Sequence, residues 1–360
     1  MREKFNPRET VRSIVAATPE SRPLPESRLP LLVTGVSGVI GYNAFYHFAR
    51  QYPGQVFGQR PVHNWPLQDD GLVPFNLEDH QAARQTIRDL GIRSILNCGG
   101  NCALKSCELD PAMAQVANVQ GVDSLLEASD QDIRLVHISV DMVFSGWAAR
   151  PYLENDPTDP VTVYGKTMVQ AEQLVQKKRP TAAILRISLP MGVSSNGHAG
   201  AIDWIMSRFL ADKPATLYYD EVRTPAYVQD LNCLFAGFIG SQTSGLFHAP
   251  GRRPVSLYQI AQVINRVGGF DPDLLIGCYR VEAGPVPPRA GNVTMDGTRL
   301  ARFLANEKLA DPRIVADDSE LTEWPNRSDL FPSDRQWHYQ RPESGVSIEN
   351  IRQYLYSYSP

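Results

Sequence analysis

The sequence predicts an α/β fold, a doubly wound parallel sheet followed by a smaller C-terminal lobe. Two observations carry this. Short continuous apolar runs alternate with amphipathic helical stretches up to about residue 185, as strands covered on both faces do. The first run, "LLVTGVSGVIG", also passes through three glycines straight into the first helical stretch.

Taken in order, residues 1–28 read as an N-terminal extension, with a short helix in "PRETVRSIVAAT" and a proline-rich linker in "PESRPLPESRLP". The sheet begins at "LLVTG". Its further strands are expected in "QVFGQ", "SILNCGG", "RLVHISVDMVF" and "AAILRIS", with helices in "HQAARQTIRDLG", "PAMAQVANVQGVDSLLEAS" and "YGKTMVQAEQLVQKK". This gives a dinucleotide-fold domain at 29–185, with later returns near 226–250, and a lobe over 186–308 rich in Gly, Pro and Asn. In that lobe "AIDWIMSRFLA" and "SLYQIAQVINRVGG" read as helices, the second ended by its glycines, and "CLFAGFIG" is an apolar run. Residues 309–360 hold an irregular proline-containing stretch (a lid, an oligomer arm or partly disordered chain) and a last amphipathic helix, "SIENIRQYLYSY".

With 42% hydrophobic and 21% charged residues, the 360-residue chain has the balance of a soluble globular protein. A formal charge of −4 gives no electrostatic basis for nucleic acid or an anionic membrane as the main partner. No apolar run reaches the roughly 18 to 20 residues that cross a bilayer, and "MREKFNPRETVRS" lacks a signal core, so the cytosol is the expected compartment. Cys98, Cys102 and Cys107 cluster in "NCGGNCALKSC" but lack the two-residue gap of zinc knuckles and any nearby histidine. Together with Cys233 and Cys278 they are expected to be buried reduced thiols, with no metal site.

Gly35, Gly38 and Gly41 stand between a strand and a helix, the position at which a Rossmann-type turn receives a pyrophosphate. Glycine allows the tight turn and close backbone approach, and the helix start offers free N–H groups and a positive dipole end. Ser37, Val39 and Ile40 complete this candidate cofactor loop. The next strand ends at Gln59 and Arg60, where an NAD-preferring fold carries an acidic residue. Arg60 suits a 2′-phosphate instead, which favours NADP, with NAD left open.

The ordered motifs "VTGVSGVIG", "FNLEDHQAARQTI", "ILNCGGNCALKSCELDP", "VHISVDMVFSG", "PYLENDPTDPVTVYGKTMVQAE", "DEVRTPAYVQDL", "GLFHAPG" and "PPRAGNVTMDGTRL" resemble the extended short-chain dehydrogenases, within them the dTDP-4-dehydrorhamnose reductase branch. The resemblance spans about residues 30–305 and implies hydride transfer between a nicotinamide and the keto carbon of a nucleotide-linked sugar. It implies Asn76 and Leu77 beside the adenine, and Cys98, Gly99 and Gly100 along the cofactor. Tyr164 matches the catalytic tyrosine. Asp141, Arg223 and Arg289 are the implied substrate contacts in the C-terminal substrate-binding lobe. Asn118, Asp230 and His248 match positions expected to be architectural.

Two departures stand out. The family's lysine, four residues after the tyrosine, is Met168 here, at the cofactor ribose; Lys166, two residues on, faces away from Tyr164 on a helix. The family's Ser/Thr falls on Val140, leaving Ser139 as the candidate hydroxyl, although one strand step turns it to the other face. Lys105 is a candidate for a lysine supplied from elsewhere. Two functions follow: an oxidoreductase or epimerase on a nucleotide sugar with altered proton handling, or a non-catalytic NADP-binding subunit like the methionine adenosyltransferase beta subunit of the same branch. The resemblance also implies a homodimer or a partner protein.

Overall fold

The computed structural model describes residues 22–64, 66–197, 199–251 and 253–309. The expectations for a helix before residue 22, and for the irregular stretch and last helix after residue 309, lie outside the described residues.

Within them, β1 (Leu31–Val33), β2 (Val56–Arg60), β3 (Leu72–Pro74), β4 (Ser94–Asn97), β5 (Arg134–Val140), β6 (Ala183–Ile187) and β7 (Gly245–Ala249) form one parallel sheet. The strand order is β7-β6-β5-β4-β1-β2-β3. The chain runs outward one way from β1 through β2 and β3, then returns to start the other half at β4. That reversal leaves a crevice at the C-terminal ends of β1 and β4, where open α/β sheets bind ligands. This is a Rossmann-type sheet.

The longer helices are α1 (Val39–Gln51), α2 (His80–Asp89), α3 (Gly121–Ala128), α4 (Val163–Lys178), α5 (Ala201–Leu210), α6 (Val228–Gly240), α7 (Leu257–Val267) and α8 (Thr298–Asn306), with short helical segments at Leu104–Leu109 and Pro111–Gln115 before α3. Their starts follow from capping. The Asp79 carboxylate accepts from the N–H groups of Gln81 and Ala82 at α2, and Thr162 accepts from Gly165 at α4. Ser256 and Gln259 form a capping box at α7.

Strand alternation sorts the core into two layers. Leu32, Ile95 and Leu135 face α2, α3 and α4 through Ala83, Ile87, Val122, Leu125, Ala171 and Val175. Leu31, Val33, Leu96 and Val136 face the other way, onto Phe45 and Phe48 of α1 and Leu231, Phe235 and Phe238 of α6. That second layer continues without a break into Ile205 and Phe209 of α5 and Ile260 and Ile264 of α7. The later part of the chain is therefore packed onto the sheet through a shared core.

Short strand pairs shape that later part. Ala215–Tyr218 runs parallel to Leu275–Cys278, and Val222–Arg223 antiparallel to Val255–Ser256. The apolar run "CLFAGFIG" is the buried body of α6. The end of the predicted linker is also docked: Leu24 is in the core, its N–H donates to the Tyr52 hydroxyl at 2.6 Å, and Arg28 donates to the Ser241 carbonyl.

Candidate functional site

The glycine turn sits in the crevice, and each glycine is required for a different reason. Gly35 has φ +67°, and a Cβ there would lie 2.4 Å from the Cys98 carbonyl oxygen. A Cβ on Gly41 would lie 2.4 Å from the Gly35 oxygen. Gly38 differs: its Cβ would meet only the Gly35 oxygen, at 3.6 Å. Gly38 is also the N-cap of α1, and no side chain caps that helix start. Free N–H groups facing unfilled space fit a phosphate.

Polar side chains brace this turn. Gln59 at the end of β2 accepts from the Gly35 N–H at 2.9 Å and donates to the Phe75 carbonyl. The Thr34 hydroxyl donates to Asn97 and accepts from the N–H groups of Cys98 and Gly99, which ties the turn to the loop after β4. Asn64 donates to the Ser37 hydroxyl at 2.8 Å, and Ser195 donates to the Ser37 carbonyl at 3.0 Å. Leu77 lies under Gly99, whose Cβ would come within 2.1 Å of it. Asn76 accepts from the Val62 N–H.

The loop after β4 leads from the glycine turn to α4. Asn118 holds its start: it accepts from the Asn101 N–H at 2.6 Å and donates to the Thr167 hydroxyl at 2.9 Å. Thr167 in turn donates to the Tyr164 carbonyl. The α4 backbone lies close on the turn after β5, since a Cβ on Gly165 would be 2.2 Å from the Met142 oxygen. Tyr164 and Met168 therefore share one inward face, both buried with Cys107, Met142 and Phe144. Burial pushes the Tyr164 hydroxyl well above its usual 10, with Cys102, Asp141 and Cys107 adding and Arg223 opposing.

Beside Tyr164 runs a chain of buried charges. Ser188 donates to Asp141 at 2.6 Å, Arg223 donates to Asp141 at 2.6 Å and to Glu221 at 2.9 Å. Arg289 stacks on Tyr218 and approaches Glu221 at 3.7 Å. Burial raises the Asp141 carboxyl despite Arg223, because desolvation is the largest influence on it. Burial alone would lower Arg223, but Asp141 and Glu221 hold it above its usual value.

Residues 29–308 match the model of the RmlD substrate binding domain. The chain belongs to that family. Among similar proteins is a probable low-salt glycan biosynthesis reductase, Agl14, of Haloferax volcanii, 24% identical over 68% of this chain and 81% of that one. The methionine adenosyltransferase 2 subunit beta of Danio rerio is 24% identical over 85% of this chain and 92% of its own. The crystal structure of dTDP-4-dehydrorhamnose reductase from Bacillus anthracis, in complex with NADP, shares the fold, with a TM-score of 0.62 at 20% identity over 76% of this chain and 92% of that one.

Within this family member, several sequence expectations need correcting. Ser139 is no substitute for the missing hydroxyl. It is fully buried and donates at 2.5 Å to Glu172, which a two-pronged ion pair holds to Arg186. Arg186 reaches His248, which also meets the Tyr152 carbonyl, so Ser139 and His248 belong to one internal brace. Lys105 is exposed on the short helix Leu104–Leu109, whose buried member is Cys107, and it is not among the groups acting on Tyr164. Lys166 is exposed, whereas Tyr164 and Met168 are buried. Arg60 is nearly buried and donates to the carbonyls of Pro61 and Val62, bracing its own loop. Of the cysteines, Cys107 is buried, Cys98, Cys233 and Cys278 are half-buried and Cys102 is exposed, contrary to the expected burial of all five; none forms a disulfide among the described residues.

Sequence reading did not single out Glu221, Asn64, Ser195 or Glu172, and named Gln59 only as a strand end. Only Glu221 carried a local signal, standing two residues before Arg223.

Proposed function

We propose that this chain is an NAD(P)-dependent reductase acting on a nucleotide-linked keto sugar. The backbone N–H groups of Val39 and Ile40, with Ser37, would hold the pyrophosphate, while the Gly38 N–H closes the turn onto the Gly35 carbonyl. Asn76 and Leu77 would border the adenine, and Cys98, Gly99 and Gly100 would follow the chain of the cofactor toward Tyr164. When bound, the reduced nicotinamide supplies a hydride to the carbonyl carbon. Tyr164 supplies the proton.

The reading is carried by one observation: Tyr164 is buried and held protonated, with no lysine one turn along its helix. A neutral tyrosine can hand its proton to a sugar oxygen that becomes a far stronger base as the hydride arrives. The tyrosinate is then reprotonated from solvent. Reductases among the relatives support the reaction class.

Met168 favours a second reading, a non-catalytic NAD(P)-binding subunit, since a thioether neither donates to ribose nor carries charge. The test is NADPH oxidation with dTDP-linked 4-keto sugars, by wild type, Tyr164→Phe and Met168→Lys. Turnover by wild type that Tyr164→Phe abolishes supports the reductase. An inert wild type that binds NADPH, with turnover gained in Met168→Lys, supports the second reading and sinks the first.

A further inference from the structure

Two side chains outside the glycine motif converge on Ser37, one from each flank of the crevice. On one flank the loop after β2 carries Asn64, whose amide donates to the Ser37 hydroxyl at 2.8 Å. That loop is held along its length. Arg60 donates to the Pro61 and Val62 carbonyls, and the Val62 N–H donates to Asn76. The Asn64 N–H donates to the Pro61 carbonyl, and Leu67 is buried in the core. Arg60 therefore helps to present Asn64.

On the other flank Ser195 donates to the Ser37 carbonyl at 3.0 Å. It stands on the loop between Pro190–Met191 and α5, in the later part of the chain. That loop is held too. Asn43 of α1 donates to the Val193 carbonyl at 2.8 Å, and Ser194 donates to Asp203 of α5 through both its N–H and its hydroxyl. A Cβ on Gly200 would come within 2.7 Å of Val39, so the loop lies directly on the start of α1.

The chemistry of Ser37 gives these contacts a direction. A hydroxyl has one proton to give and two lone pairs. The Asn64 Nδ2 group can only donate, so it fills a lone pair and leaves the proton for a ligand. The peptide between Ser37 and Gly38 is gripped at both ends, its carbonyl by Ser195 and its N–H by the Gly35 carbonyl at 3.0 Å. Fixing that plane sets the direction of the Val39 and Ile40 N–H groups that follow. Donors oriented before an anion arrives bind it more tightly than donors that must be ordered by it.

We infer that Asn64 and Ser195 are positioning residues for the cofactor diphosphate. Asn64 keeps the Ser37 hydroxyl a donor to it, and Ser195 fixes the Ser37–Gly38 peptide. The inference rests on the NAD(P)-binding reading above and deepens it, since one of the two comes from outside the dinucleotide-fold domain.

The test is fluorescence titration of the full chain with NADPH, with apo thermal melts reporting folding separately. Asn64→Ala and Ser195→Ala should each weaken NADPH roughly three- to tenfold. In a Ser37→Ala background, Asn64→Ala should cost less than about a further twofold, because its target is gone. Ser195→Ala should keep its full effect there, because the carbonyl remains. Asn64→Asp fills the same space but can only accept, so it should take the Ser37 proton and bind NADPH more weakly than Asn64→Ala. A merely structural role would not produce that pattern. Unchanged affinity in either single alanine variant, an Asn64→Ala loss that persists without the Ser37 hydroxyl, or wild-type affinity in Asn64→Asp overturns the inference alone. If wild type binds no NADPH, the NAD(P) reading itself fails and takes the inference with it.

Discussion

Gly38→Ala separates binding from folding at the glycine turn. The backbone at Gly38 has φ −87°, which alanine adopts freely, and the new Cβ would have only the Gly35 oxygen at 3.6 Å, an ordinary contact. Losing a glycine N-cap costs up to about 1 kcal/mol, and the stiffer unfolded chain returns about 0.4 to 1 kcal/mol. The apo melting temperature should therefore move by no more than about 3 °C. The methyl group would occupy the space in front of the α1 N-terminus, so NADPH affinity should fall roughly tenfold or more, at least about 1.4 kcal/mol. Gly41→Ala is the contrast. Its Cβ would lie 2.4 Å from the Gly35 oxygen and 2.7 Å from the Thr34 oxygen, both fixed backbone, so stability itself should drop by more than about 2 kcal/mol. Thermal melts and NADPH fluorescence titrations on both variants decide the matter. Unchanged NADPH binding in Gly38→Ala would refute the placing of the pyrophosphate at α1, and a large loss of stability there would make Gly38 merely structural.

Met168→Lys puts an ammonium on the Tyr164 face of α4. It should lower the Tyr164 pKa by roughly 1 to 3 units, read by ultraviolet titration against Tyr164→Phe, and make NADPH stabilise the variant more than wild type. An unchanged phenol titration would show that the two side chains do not share a face. Ser139→Ala removes the Glu172 bond and should cost about 1 to 3 kcal/mol in denaturant melts while leaving kcat per folded molecule unchanged. Acid should destabilise the fold through its buried histidines. Burial lowers His47 and His137 to about 4, His47 with Arg50 adding, and burial with Arg186 lowers His248 to about 3. The unfolded chain takes up these protons first, so stability is full above pH ~6.5 and falls toward pH ~4, by up to about 1.4 kcal/mol per pH unit for each histidine. His137→Phe should flatten that slope in melts between these pH values, and an unaltered slope would exclude His137 as a contributor.

The alternation of apolar runs and helices was legible because each central strand is covered on both faces, so composition alone marks it. Tyr164, Met168 and Lys166 were legible through helical spacing, which fixes faces over a few residues. The site's charge state was not. Arg223 meets Asp141 across 82 positions of chain, and Ser139 meets Glu172 across 33, pairings set by how the sheet brings loops together and not by any local period. An arginine reads as free in a sequence until its carboxylates are placed around it. Arg60 shows the same limit: the end of β2 was foreseen, while the two carbonyls that draw its guanidinium inward belong to the turn that follows.

The intact glycine turn is less informative about function than its pattern suggests. Gly35 and Gly41 are held by the fold itself: a side chain at either would strike backbone oxygen within 2.4 Å, whether or not a cofactor ever binds. A chain that had lost its ligand would still keep both. Met168 and Val140 are under no such constraint, because an apolar group in each place joins or borders the cluster around Phe144 without leaving a buried charge unpaired. Positions that serve only chemistry can therefore change while positions that serve the turn cannot. Gly38 is the exception among the glycines, since the protein has room for a side chain there and does without one. That unfilled space beside an uncapped helix start, more than the three-glycine pattern, is the reason to place a phosphate in this crevice.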